Sequence, residues 1–219
     1  MSRIPLLLLI FVFIYSCTPI NDAVIFNNDI KESREVVAKK KTEKRKPEII
    51  KNELMVDTFD KKNVNALKGN VNPWDFKPED NTQSCKIRYT KEVRMGDKGS
   101  SLKVMYDVDS PNQAFNGVYI ELKDSDISSF NNIVFYVKGD PDKGFTSVFK
   151  VELKNNVDQT GYAYVRGVTD EWQKIVISLD DFRGLSDFTS MKEFTIVFAD
   201  TDVTQKEGII YFEDLYFSK

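Results

Sequence analysis

The side chains best suited to chemistry in this chain stand two residues apart. Tyr119 and Glu121 follow that spacing, as do Lys150, Glu152 and Lys154, and then Tyr162, Tyr164 and Arg166. On a β-strand such a set falls on one face. Tyrosines flanked by Arg, Lys and Glu suit recognition of a sugar, because rings stack on the apolar face of a pyranose while charged groups satisfy its hydroxyls. They also suit catalysis without histidine. Tyr162 or Tyr164 would act as acid/base while Arg166 and Lys150 neutralise a uronate carboxylate, as in a polysaccharide lyase; Glu121 and Glu152 would be a glycosidase pair. Against catalysis, mutual pairing accounts for Lys150 and Glu152. The plain alternative for the whole set is cross-strand pairing on a solvated sheet face.

Composition narrows the choice. The 219 residues include no His and two Cys. That removes Ser-His-Asp and Cys-His nucleophiles, imidazole metal ligands, a four-thiolate zinc site and a disulfide framework. With 31 basic residues against 34 acidic ones, the chain lacks the basic excess that nucleic acid demands. Sixteen Phe, nine Tyr and two Trp are enough for one sizeable core, so the length reads as one domain with appendages.

The elements that would position these side chains are strands. Short runs rich in Val, Ile, Phe and Tyr recur at roughly ten-residue spacing between Gly, Asn, Asp and Ser clusters. The clearest lie at 102–107, 117–122, 133–139, 147–154, 162–168, 173–179, 193–200 and 208–217. They predict an all-β, two-sheet antiparallel sandwich, with short turns or helices at 180–185 and 190–192. In jelly-roll order the runs at 102, 133, 173 and 208 share one sheet, and those at 117, 147, 162 and 193 share the other. Alternation in that second sheet turns Val118, Ile120, Phe149, Val151, Ala163 and Val165 inward. It turns Tyr119, Glu121, Lys150, Glu152, Tyr162, Tyr164 and Arg166 outward. Trp74 lies beside Pro73 in what reads as a polar loop, and is a further candidate for a ligand-facing aromatic.

The N-terminus reads as an export signal. Residues 1–16 hold one Arg and an apolar run of about a dozen residues, too short to span a bilayer comfortably. Ile14, Tyr15, Ser16 and Cys17 resemble the lipobox of bacterial lipoproteins, which implies acylation of Cys17 and anchoring in the membrane. Thr18 in place of Asp implies passage to the outer membrane, and localisation in the cell envelope. Cys85 is then left as a buried small side chain or a free thiol. Residues 17–50 form a charged tether; from 21 to 50 they carry eight basic and six acidic side chains. The domain expected over 51–219 has 22 basic and 28 acidic residues.

Several pieces of that domain carry a family likeness: VDTFD at 56–60, WD at 74–75, PEDNTQSC at 78–85 and SLKVMYD at 101–107. IVFYVKGD at 133–140, VELK at 151–154, DEWQK at 170–174 and GIIYFEDLYF at 208–217 follow in order. Together they resemble the galactose-binding-like sandwiches grouped around family 11 carbohydrate-binding modules and the complex I intermediate-associated protein family. The resemblance implies a non-catalytic module that binds a poly- or oligosaccharide through one sheet face. It also implies a structural Ca2+ tying the first strand to the last, at Asp57 and Asp214 with Glu213 as a further ligand, and Trp172 packed in the core. The complex I intermediate-associated relatives make an envelope protein partner, in assembly rather than sugar binding, the alternative reading.

Overall fold

The computed structural model describes residues 52–219, within the compact unit Glu48–Lys219. The signal segment 1–16, the tether 17–50 and the lipidation site Cys17 lie outside the described residues. The described residues form eleven strands: β1 (Glu53–Asp57), β2 (Val71–Asp75), β3 (Ser84–Thr90), β4 (Ser101–Asp107), β5 (Phe115–Ser125), β6 (Asn132–Gly139), β7 (Val148–Asn155), β8 (Thr160–Arg166), β9 (Gln173–Ser178), β10 (Met191–Ala199) and β11 (Glu207–Ser218). They form two antiparallel sheets, one ordered β3-β4-β11-β6-β9 with β1 added alongside β11, the other ordered β2-β5-β10-β7-β8. The fold is therefore the expected β-sandwich, and the eight strands read from the sequence divide between the sheets as expected.

The alternation that decides this division is clearest in β7 and β8. Phe149, Val151 and Leu153 are buried, as are Ala163 and Val165, while their neighbours point to solvent. Apolar side chains at every second position can leave water only against a second layer, and the opposite sheet supplies it. Phe149 joins the layers directly: its ring lies 5.8 Å from Phe198 in its own sheet and 5.6 Å, edge-on, from Phe212 on β11 of the other. Phe135 on β6 reaches across in the reverse direction, 6.0 Å from Phe194. Cys85 is buried and unbonded; burial raises its thiol pKa, so it packs as a small apolar residue.

Three strands lie outside the eight read from the sequence. The most consequential is β2, because Trp74 sits in it and not in a loop. Asn72, Pro73 and Asp75 are poor strand formers, yet β2 pairs with β5 from Val71↔Ile120 to Asp75↔Asn116. It is an edge strand, where a proline without an N–H is tolerated. Two smaller expectations also change. The 190–192 turn gives way to β10, which begins at Met191, and Trp172 is only half-buried in the approach to β9. A 3-10 turn at Leu179–Asp181 follows β9 as expected, capped by the Ser178 side chain.

Candidate functional site

The outer face of the β2-β5-β10-β7-β8 sheet is a grid whose rows follow from strand register. One row runs Trp74, Gly117, Val197, Lys150, Tyr164; the next runs Asn72, Tyr119, Thr195, Glu152, Tyr162. A third runs Glu121, Glu193, Lys154, Thr160. The sequence-derived set therefore shares one face, but in two neighbouring depressions. Trp74, Tyr119, Lys150 and Glu152 line a cleft of about 290 Å³ together with Phe115, Lys154, Glu193, Thr195 and Val197. Tyr162, Tyr164 and Arg166 form its rim on β8 and face a second groove beyond it. Glu121 stands aside from both, held by Lys123 at 2.7 Å and by the Asn70 N–H at 3.0 Å.

Gly117 stands between Trp74 and Val197 in the first row. A Cβ there would run into the Ile196 carbonyl and stand 3.3 Å from Trp74 Nε1, so glycine lets β5 and β10 approach closely. Trp74 stands edge-on to Phe115 at 5.9 Å, and Phe115 stacks on Phe76 at 4.0 Å. Tyr119 accepts a hydrogen bond from Asn72 at 3.0 Å. Two polar atoms of residues that line the cleft, Trp74 Nε1 and Thr195 Oγ1, are buried without a hydrogen-bond partner. An unmade bond at a buried polar group costs about 1–3 kcal/mol, and neither atom is open to solvent in this arrangement.

Charges on this face are already matched. Lys150 pairs with Glu152 at 2.9 Å, and Lys154 lies 2.8 Å from Glu193 and 3.9 Å from Glu152. Burial works against the charged form of Lys150, but the Glu152 carboxylate outweighs it and the ammonium pKa is raised. At the rim, Tyr162 and Tyr164 meet edge-on at 6.1 Å, with Lys150 over the first ring at 5.9 Å and the Arg166 guanidinium over the second at 5.0 Å. Tyr164 donates its hydroxyl to Asp202 at 3.2 Å. Burial, then the Asp202 charge, raises the phenol pKa, the wrong direction for a lyase base. Hydrogen bonding from Lys123 holds the Glu121 carboxyl low, the wrong direction for a glycosidase acid.

The acidic residues near the β1–β11 junction are a separate feature. Asp57 pairs opposite Leu215, and Asp214 sits in a bulge of β11 at φ 46°. Burial raises the Asp57 pKa to about 7, against a hydrogen bond from the Phe59 N–H and with added repulsion from Asp60. Burial likewise raises Glu213 to about 7, with the Met95 N–H opposing and Asp214 and Asp60 adding to the rise. Asp214 is raised by burial and by Asp60. Asp57 Oδ2 is buried without a partner. The donors are hard oxygens of the kind Ca2+ takes, but among the described residues no three such groups are spaced to hold a metal ion.

Sequence reasoning missed Thr195, Glu193 and Val197 in the cleft, and Asp60 among the acids. The first three occupy alternate positions of β10, so extending the in-out alternation to the run at 193–200 would have found them. Phe115 precedes the run taken for β5 and carried no such signal.

No family model matches the chain, and no curated protein matches it. Solved structures do. The family 11 carbohydrate-binding module of a cellulosomal cellulase from Clostridium thermocellum is 14% identical with a TM-score of 0.57, covering 76% of this chain and 94% of that one. The family 11 module from Clostridium thermocellum in complex with a β-1,3-1,4-mixed-linked tetrasaccharide is 16% identical, also at 0.57, covering 76% and 95%. A portion of an exo-β-agarase is 10% identical at 0.52, covering 75% of this chain and 25% of that one. At such identities the likeness is one of fold. It supports the family 11 side of the sequence resemblance and gives none to the complex I intermediate-associated side: this domain has the β-sandwich architecture of family 11 carbohydrate-binding modules.

Proposed function

We propose that this domain is a non-catalytic module that binds a glycan across the outer face of the β2-β5-β10-β7-β8 sheet. The observation that carries the reading is one cleft on that face in which Trp74 and Tyr119 stand beside the Lys150–Glu152 and Lys154–Glu193 pairs. A sugar hydroxyl both donates and accepts, so it suits the carboxylates and ammonium groups of those pairs, while Trp74 and Tyr119 offer apolar ring surface. Occupants of similarly folded modules include a mixed-linked tetrasaccharide. Binding at a single site is modest and gains from many copies on one surface.

The test is a screen of the purified chain against neutral and acidic polysaccharides, followed by calorimetry on the best ligand. Trp74→Ala and Tyr119→Ala should each weaken binding about tenfold, equivalent to about 1.4 kcal/mol, with the fold retained. Retention of no glycan, together with a stoichiometric envelope protein co-purifying with the chain, overturns this reading in favour of an assembly role. An unsaturated product appearing by ultraviolet absorbance on incubation with a polyuronate overturns it in favour of a lyase.

The same proposal places the domain at a membrane. The lipobox-like Ile14 to Cys17 would deliver a lipid to Cys17, with 17–50 as the tether and the outer membrane as destination. Labelling by a fatty-acid precursor should then be lost in Cys17→Ser; labelling retained in that variant rules the anchor out. Calcium at Asp57, Glu213 and Asp214 belongs to the proposal as well, supported by the orphaned Asp57 oxygen; because these side chains alone do not converge, backbone carbonyls would have to complete the shell, and the ion would hold β1 to β11 and perform no chemistry.

A further inference from the structure

A second depression runs along the side of the sandwich, where the unpaired edges of β8 and β9 face each other. It measures about 600 Å³, and its walls include Tyr162, Tyr164, Arg166, Val176, Asp181 and Arg183. Chain geometry builds it. After the 3-10 turn, the Arg183 carbonyl accepts the Tyr162 N–H at 3.3 Å, bridging the free edge of β8 to the segment that follows β9. Gly161 and Gly184 allow this contact, since a Cβ on either would meet backbone within 2.7 Å. The result fixes Arg183 beside the β8 edge, opposite Val176, which is 55% exposed.

We propose that this lateral groove is a second sugar subsite, taking a neutral unit of the same glycan chain after it crosses the Tyr162/Tyr164 rim. The inference rests on the sheet-face reading above and extends it. Continuity comes from register: Lys150 and Tyr164 are cross-strand partners, as are Glu152 and Tyr162, so a chain laid along the row from Trp74 to Tyr164 crosses four strand spacings, about 19 Å, and arrives at the rim. The two tyrosines, 42% and 39% exposed, then present ring surface to the groove.

Charge chooses the ligand class. Arg166, Arg183, Asp180 and Asp181 all line the groove, and among the described residues none of the four makes an ion pair. Free guanidinium donors and free carboxylate acceptors together suit vicinal hydroxyls, which accept from one and donate to the other. An anionic sugar would gain from the arginines and be opposed by the two aspartates. The side chains of Asp181 and Arg183 are exposed, so their removal leaves the core intact.

The experiment is calorimetry of the full chain with two soluble probes, a tetrasaccharide and an octasaccharide of β-1,3-1,4-mixed-linked glucan. The octasaccharide should bind about tenfold more tightly. An Asp181→Ala, Arg183→Ala double variant should lose that gain while its affinity for the tetrasaccharide is unchanged. Trp74→Ala should weaken both probes. Equal affinity of the native chain for the two lengths, or a gain that survives the double variant, overturns the lateral subsite alone. Binding of neither probe overturns the subsite as one for this neutral glucan, and tetrasaccharide affinity indifferent to Trp74→Ala overturns the sheet-face reading and the subsite with it.

Discussion

Replacing Phe149 with Ala should lower the unfolding free energy of the domain by about 3–5 kcal/mol, the range for deleting a buried ring. The ring is fully buried and touches Phe198 on one layer and Phe212 on the other, so neither sheet can collapse into the space without parting from its own strands. A loss of that size is a large fraction of the about 5–15 kcal/mol that holds a domain together. Urea unfolding would show it as a lower midpoint at constant slope. Phe149→Leu, which keeps most of the volume, should cost clearly less, and Val176→Ala at the exposed edge should stay within about 0.5 kcal/mol. A Phe149→Ala loss no larger than that of Val176→Ala would mean that the layers are not joined through this ring.

The second large effect is on pH. Asp57 and Glu213 have folded pKa values of about 7, raised above ordinary values of 3.8 and 4.5 chiefly by burial. The native state therefore holds protons that the unfolded chain releases, and stability falls as pH rises. Their contribution is fully present below pH 4 and is lost as pH climbs through about 7. The loss is on the order of 2 kcal/mol for each carboxyl, after allowance for partial solvation. Carboxyls held low by hydrogen bonds, such as Asp126 and Asp187 with their Ser128 and Thr189 partners, act in the opposite sense but only in more acidic solution. Thermal unfolding in chelator should thus show a midpoint that declines from pH 4.5 to pH 8, with a shallower decline in Asp57→Asn. Adding Ca2+ at pH 8 should raise the midpoint by stabilising the ionised acids. A flat profile in chelator removes the buried-carboxyl account. Indifference to Ca2+ removes the calcium proposal.

Much of the fold was legible because side-chain alternation is a local property. The sequences of β7 and β8, VFKVELKN and TGYAYVR, state by themselves which residues face the core. Jelly-roll order then places those strands in the correct sheet. The sequence of β2, VNPWD, carries no such message. Its strand conformation comes from the exposed edge that β5 offers it, which is why Trp74 read as a loop residue. Pairing of Lys150 with Glu152 was also legible, since two residues at a spacing of two on one strand must be neighbours on one face.

The sequence by itself determined that histidine chemistry is absent, that the domain is an acidic all-β sandwich, and that tyrosines and matched charges share its outer face. Only the tertiary structure decided that these side chains divide between a cleft on that face and a groove at its edge, with Trp74, Tyr119 and Thr195 in the first and Tyr162, Tyr164, Arg166 and Arg183 around the second. It also decided that the acids on the first and last strands crowd around Asp60. The physical reason is range. In-out orientation repeats every two residues along one strand, whereas a cleft depends on which strands become neighbours and in what register. β2, β5 and β10 meet across more than forty residues of sequence at each step, and that meeting is set by how the whole core packs.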